Sequence, residues 1–190
     1  IDSYPTIGDT QTALALRLLC LTFVRTSELI GAEWSEFSDL EGSSPTWEIP
    51  ASRMKMKAAH IVPLSRQAVA ILRELRAIGG GSRYVLPGRN PDKTISNNTL
   101  LFALYRLGYK GKMTGHGFRH MASTLLHERG YRSEWIERQL AHGDRNAVRA
   151  RYNFAEHLPD RRRMMQEWAD YIDAQTGANL TTLPARRESR

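Results

Sequence analysis

The stretch Thr114-Gly-His-Gly-Phe-Arg-His-Met-Ala-Ser-Thr-Leu-Leu, residues 114–126, has the pattern of a helix beginning. Thr114 is a residue type that caps a first turn, and Phe118, Met121, Leu125 and Leu126 recur at helical spacing. His116 and Arg119 stand three apart and so share one face of that turn. A helix N-terminus carries unpaired N–H groups and partial positive charge. With His and Arg beside it, it can hold a phosphate. His116 and His120, four apart, also have the spacing of a zinc-binding helix. However, Gly117 stands where His-Glu-x-x-His needs glutamate, and no third ligand is placed nearby, so no metal is expected.

Working outward, the composition is that of a globular chain with room for a sizeable core: 190 residues, 41% hydrophobic and 25% charged. The apolar run from Ala13 to Val24 is broken by Arg17 and is too short to span a membrane. The chain opens Ile1-Asp-Ser-Tyr-Pro, without a secretory leader pattern, and Ile1 in place of Met reads as an internal start. Cys20 is the single cysteine. It excludes an internal disulfide, fits a reducing cytoplasm, and lies in an apolar run where a buried thiol is expected. The net charge of +7 favours a polyanionic partner, and arginines cluster at Arg145, Arg149, Arg151 and Arg161 to Arg163.

Residues 9–23 predict a central helix capped by Asp9, apolar on nearly every side. Arg25 follows it directly, and a short helix capped by Thr26 or Ser27 follows in turn, with Glu28 in its first turn and Gly31 as its stop. A charge beside a buried helix needs a counter-ion, so Arg25 meets either an anion or Glu28. Trp34–Phe37, Thr46–Ile49 and His60–Leu64 alternate like three antiparallel strands, with Lys55 and Lys57 near the second hairpin. Ser65 caps a helix over 66–78 with Val69, Ile71, Leu72, Leu75 and Ile78 on its apolar side. The Gly79-Gly-Gly run that ends it lacks the Gly-Lys-Ser/Thr of a phosphate loop.

Ser96 predicts a helix to about Leu107. Gly130 stops the helix that begins at Thr114, and Ser133–Leu140 forms the next. This pair could be read as helix-turn-helix, but the second helix begins too acidic and apolar for a recognition helix. Asp144 caps a segment running to Phe154. A last helix spans about 160–175 with Met164, Met165, Trp168, Tyr171 and Ile172 as its stripe. Residues 176–190 read as a mobile basic tail.

The ordered set Arg25, Lys55, His116-x-x-Arg119, His142 and Tyr152 resembles the catalytic domain of the tyrosine recombinase (phage integrase) family over roughly residues 6–175. The runs that carry the likeness are Arg25-Thr-Ser-Glu-Leu-Ile-Gly, His60-Ile-Val-Pro-Leu-Ser, Gly115-His-Gly-Phe-Arg-His and Leu140-Ala-His-Gly. Val148-Arg-Ala-Arg-Tyr-Asn and Arg162-Arg-Met-Met-Gln-Glu-Trp resemble the branch encoded by prophages and genomic islands. Lys55 stands eight residues before Pro63, an offset that favours it over Lys57. Tyr152 lies ten residues after His142 where the family commonly has nine; Tyr131 and Tyr171 are its nearby rivals.

The chemistry of these groups is coherent. Two arginines neutralise the non-bridging oxygens of a phosphodiester, and the planar guanidinium also fixes orientation. Tyr152 is the nucleophile, Lys55 the general acid for the leaving 5′-oxygen, and His142 a donor to phosphate. His116 either activates the tyrosine or binds phosphate, and Glu28 orients Arg25. Lys57, Arg145, Arg149 and Arg151 are candidate contacts to DNA.

The resemblance implies a mainly helical (α+β) fold with a small three-stranded antiparallel sheet. It also implies site-specific recombination of double-stranded DNA attachment sites through a 3′-phosphotyrosyl intermediate, without metal, ATP or other cofactor. It further implies a tetramer on DNA formed from monomers, DNA-bending accessory proteins, a cytoplasmic, nucleoid-associated location, and core-binding and arm-binding domains upstream of this stretch. The catalytic domain would end near residue 175. Type IB topoisomerase activity, a non-enzymatic DNA-binding module and a metal-dependent nuclease are the rival readings.

Overall fold

The computed structural model describes residues 10–142 and 157–176. Helix α1 (Thr10–Thr22) is the centre of the fold, with Leu14, Leu16, Leu18, Leu19 and Leu21 all inaccessible to solvent or nearly so. A helix apolar on every side can only lie inside a layer of others, and α1 packs on five of them among the described residues. Its expected cap, Asp9, lies outside the described residues. Phe23 adopts a left-handed φ of 39°, which turns the chain out of α1.

Helix α2 (Thr26–Ile30) follows. Neither Thr26 nor Ser27 caps it. Arg25 holds the cap position with extended backbone, and its N–H donates to Glu28 Oε2 at 2.8 Å. The carboxylate that pairs with Arg25 thus also satisfies the open end of the helix.

The sheet is a three-stranded antiparallel meander of β1 (Phe37–Ser38), β2 (Thr46–Ile49) and β3 (His60–Pro63). Its register sets Phe37 opposite Trp47 and Trp47 opposite Val62. Phe37 stacks on Trp47 with ring centroids 5.2 Å apart. The first strand is shorter than its alternation suggests, because Trp34–Glu36 is a single 3-10 turn closed by Glu36 N–H to Glu33 O.

Helix α3 (Arg66–Ile78) is capped by Ser65, whose Oγ accepts from Ala68 N–H. It buries Val69, Ile71, Leu72 and Leu75 against α1 and leaves Ile78 exposed at its C-terminal end. Helix α4 (Thr99–Arg106) begins later than the sequence predicts. Ser96 Oγ accepts from Asn98 N–H, making a turn before the helix rather than its cap.

Helix α5 (Gly115–Glu128) begins at the expected Thr114, whose Oγ1 accepts from Gly117 N–H at 3.3 Å. Helices α6 (Ser133–Gln139) and α7 (Leu158–Thr176) close a second apolar cluster. Phe23, Ala122, Leu126, Ile136, Leu140, Met164, Met165 and Trp168 meet there. Each large side chain so buried contributes about 1.5–3 kcal/mol. Trp168 also donates its Nε1–H to Cys20 O at 3.1 Å, tying α7 to α1.

A polar network lies inside this second layer. Arg161 is fully buried and donates from Nε and Nη2 to Gln139 Oε1, and from Nη2 to Ile61 O. Burial, and then the charge of Arg138, bring its pKa down to about 9. His60 Nε2 lies 3.1 Å from Gln139 O. Burial foremost, and then the charge of Arg161, push the His60 imidazole down to about 3, so it is neutral and donates from Nε2 to the carbonyl. No helix among the described residues is long and apolar enough to cross a membrane.

Candidate active site

The first turns of α2 and α5 meet at glycine. A Cβ on Gly115 would stand 2.1 Å from Thr26 Oγ1, so beside Thr26 this close approach of the two helices calls for glycine. A Cβ on Gly117 would stand 2.8 Å from Met113 Sδ. The Gly-His-Gly sequence thus serves contact between elements, and it leaves His116 exposed between them.

The result is a cleft of about 340 Å³ lined by Arg25, Thr26, Ser27, Asn97, His116 and Arg119. Three residues expected from sequence, Arg25, His116 and Arg119, therefore share one wall. Thr26, Ser27 and Asn97 join them. Asn97 was not distinguishable in the sequence, since Ser96-Asn-Asn reads as an ordinary helix approach.

Arg119 is 3% exposed. Its Nη1 donates to Phe23 O at 2.7 Å and its Nη2 to Leu140 O. Its Nε has no hydrogen-bond partner among the described residues. Burial and the neighbouring Arg25 charge lower its pKa to about 10, against the opposing pull of Glu28 and Glu137, so it stays cationic at neutral pH. Arg25 is held by Glu28, Nη1 to Oε1 at 2.6 Å, and reaches Ala141 O at 3.4 Å. Glu28 is 3% exposed and pairs with Arg25 across the start of α2. Two guanidinium groups that repel one another at the edge of a cleft are relieved by an entering anion.

Both arginines also grip the end of α6. Their acceptors, the carbonyls of Leu140 and Ala141, lie in the turn that leads to His142, where Ala141 has a left-handed φ of 48°. His142 is half exposed and outside the cleft wall. Its Nδ1 is 2.6 Å from Glu137 Oε2 and its backbone N–H donates to Glu137 O.

Lys55 and Lys57 lie on the exposed connection between β2 and β3, beyond the cleft lining, with Lys57 at a left-handed φ of 54°. Tyr152, Arg145, Arg149 and Arg151 lie outside the described residues. Among the rival tyrosines, Tyr131 donates its hydroxyl to Glu167, and burial with that bond pushes its pKa up to about 12. Tyr171 packs on Trp168 in a tilted arrangement, with ring centroids 5.9 Å apart and planes at 37°. Helix α6 turns Ile136 and Gln139 inward and Glu134 and Glu137 outward, where the two carboxylates face Arg132 and His142.

The model of the phage integrase family matches residues 3–157. The integrase of Enterobacteria phage P4 is 47% identical over 183 residues, covering 87% of this chain and 41% of that protein. Prophage integrase IntZ of Escherichia coli (strain K12) is 46% identical over 173 residues, covering 90% of this chain and 42% of that protein. The chain thus spans less than half the length of these curated relatives. A solved structure, that of the XerH site-specific recombinase bound to difH substrate in a pre-cleavage complex, shares the fold. It matches with a TM-score of 0.56 and 18% identity over 78% of this chain and 45% of that one. By the match to the family model over most of its length and its identity to these relatives, the chain belongs to the phage integrase family.

Proposed function

We propose that this domain cuts and rejoins double-stranded DNA at attachment sites, integrating or excising a mobile element. The observation that carries the reading is the convergence of Arg25, His116 and Arg119 on one cleft, with Glu28 behind Arg25. The arginines hold the non-bridging oxygens of the scissile phosphate and stabilise the charge that builds on them during attack. Tyr152 Oη attacks phosphorus, the bond to the 5′-oxygen breaks, and Lys55 gives that oxygen a proton. The product is a 3′-phosphotyrosine and a free 5′-hydroxyl. The 5′-hydroxyl of a partner duplex then attacks the phosphotyrosine and releases the enzyme, so strands exchange without ATP, metal or cofactor.

His116 either takes the tyrosine proton or binds phosphate, and His142 donates to a phosphate oxygen. Lys57, Arg145, Arg149 and Arg151 neutralise flanking phosphates, so affinity falls steeply with salt. Residues 1–175 act as the catalytic unit and 176–190 as a basic tail reaching a neighbouring protomer. The working form is a tetramer on DNA, assembled from monomers with the help of DNA-bending proteins. The relatives named integrases and the DNA-bound XerH complex support this choice of partner.

The test is covalent adduct formation on nicked, end-labelled attachment-site DNA in EDTA, comparing the protein with Tyr152→Phe. A protein–DNA band that vanishes in the variant is the expected result. A band that persists would move the nucleophile elsewhere, and dependence on a divalent metal would overturn the mechanism.

A further inference from the structure

The connection that carries Lys55 is anchored at its base by a network with no evident local purpose. Residues Ala51–Arg53 form a 3-10 turn, and Met54 beside them is buried at 3% exposure. Arg53 turns inward. Its Nη1 contacts both carboxylate oxygens of Glu36, and its Nη2 donates to the main-chain carbonyl of Glu28. Glu36 Oε2 also accepts from Trp47 Nε1 at 2.8 Å, and Trp47 is fully buried in β2. The end of α2 leaves room for the guanidinium. A Cβ on Gly31 would lie 3.3 Å from Arg53 Nη2, tighter than ordinary contact.

One residue closes the circuit. Glu28 holds Arg25 through its carboxylate and Arg53 through its carbonyl. The base of the lysine turn and the phosphate-gripping arginine are therefore fixed to the same short helix, α2. A half-buried ion pair of this kind is a poor source of stability, because an apolar substitute of like volume often does as well. Its geometry does something an apolar contact cannot. The fork of a guanidinium bonded on two sides sets direction as well as distance. Lysine needs that help, since its long exposed side chain has many rotamers to lose before its ammonium meets a leaving group.

We propose that Arg53 is a positioning residue for the proton donor: it sets the origin of the Lys55 arm relative to the scissile phosphate, and Glu36 holds Arg53 in register. This rests on the reading of Lys55 as general acid. The signature of such a role lies in the leaving group. If the 5′-bridging oxygen of the scissile phosphate is replaced by sulfur, the departing thiolate needs no proton. Defects in proton delivery then disappear, while defects in gripping phosphate or in attack remain.

The experiment is single-turnover cleavage by the full-length protein at saturating concentration. It uses paired attachment-site duplexes with oxygen or sulfur at that one position. Lys55→Ala is expected to slow the oxygen substrate by roughly 10²–10⁴-fold. Arg53→Lys, which keeps the charge and loses the fork, is expected to slow it by roughly 10–10²-fold. Both variants should cleave the sulfur substrate within about threefold of the unaltered protein, the margin left when proton transfer no longer limits the step. Glu36→Gln keeps the Trp47 acceptor and serves where Arg53→Lys folds poorly; it should show the same rescue from a smaller loss.

Four results decide between the two levels of inference. Rescue of all three variants supports the proposal. Rescue of Lys55→Ala without rescue of the Arg53 and Glu36 variants overturns the positioning role and leaves the general acid standing. Failure to rescue Lys55→Ala overturns the general acid itself. An Arg53→Lys protein that cleaves the oxygen substrate at the unaltered rate also overturns the proposal.

Discussion

Acidifying the protein from about pH 7.5 to about pH 5 should weaken its fold by about 2 kcal/mol through His60 alone. The imidazole is 6% exposed and hydrogen-bonded to Gln139 O. The charges that bear on it, from Arg161, Arg138 and Arg119, are all positive. Its pKa in the fold is about 3, against 6.5 for the free side chain. Between those values the unfolded chain binds the proton and the folded chain refuses it. Stability is therefore complete above the unfolded pKa and is lost as pH falls, by about 1.4 kcal/mol per unit until the folded pKa is reached. At about pH 5 the loss has run for roughly 1.5 units, which gives the figure above. The assay is urea unfolding followed by tryptophan fluorescence at the two pH values, for the unaltered protein and His60→Gln. The variant is less stable throughout but cannot be protonated there, and carboxylates elsewhere cancel in the comparison. Equal acid losses in the two proteins would refute the assignment.

Gly115→Ala should lower stability by about 1–3 kcal/mol and depress cleavage, because its new methyl collides with Thr26 Oγ1. Thr26→Ala in the same chain should restore much of the lost melting temperature, and an additive pair would sink the explanation. Cys20 is buried, and desolvation pushes its thiol up to about 12, so a disulfide reagent should label it only as the protein unfolds. Labelling of the native protein at a free-thiol rate would contradict the burial. Arg119→Lys should cut adduct formation by at least ~10²-fold, since one ammonium cannot serve two carbonyls and a phosphate together. A lysine protein cleaving within a few fold of the original would show that the fork is dispensable.

The parts of the site that were legible in sequence are those fixed by local spacing. His116 and Arg119 lie three apart on a capped helix, and Arg25 and Glu28 lie three apart across a helix start, so their neighbours are implied by the chain itself. The three-stranded sheet was legible for the same reason, as was the Ser65 cap. Where the outcome depended on distant partners, the pattern misled or said nothing. Trp34–Glu36 alternates like a strand, yet Glu36 turns toward Arg53 and Trp47, which only tertiary packing supplies. Ser96 has a capping side chain but uses it on a turn. Arg161 sits in a run of three arginines that reads as part of a basic cluster for a polyanionic partner, although its own side chain is fully buried against Gln139 and Ile61. Arg53 likewise reads as one more basic residue near a lysine hairpin.

The acceptors chosen by Arg25 and Arg119 have a consequence for how the protein tolerates change. Apart from the Glu28 carboxylate that holds Arg25, those acceptors are the main-chain oxygens of Phe23, Leu140 and Ala141. Replacing any of those three residues leaves the oxygen in place, so no single substitution there can delete a rung of the cradle. What the cradle requires is that the backbone keep its course, including the left-handed turns at Phe23 and Ala141. Selection acting on these positions would therefore register as a restriction on shape, weak on the identity of the side chain and severe on any change that stiffens or redirects the chain.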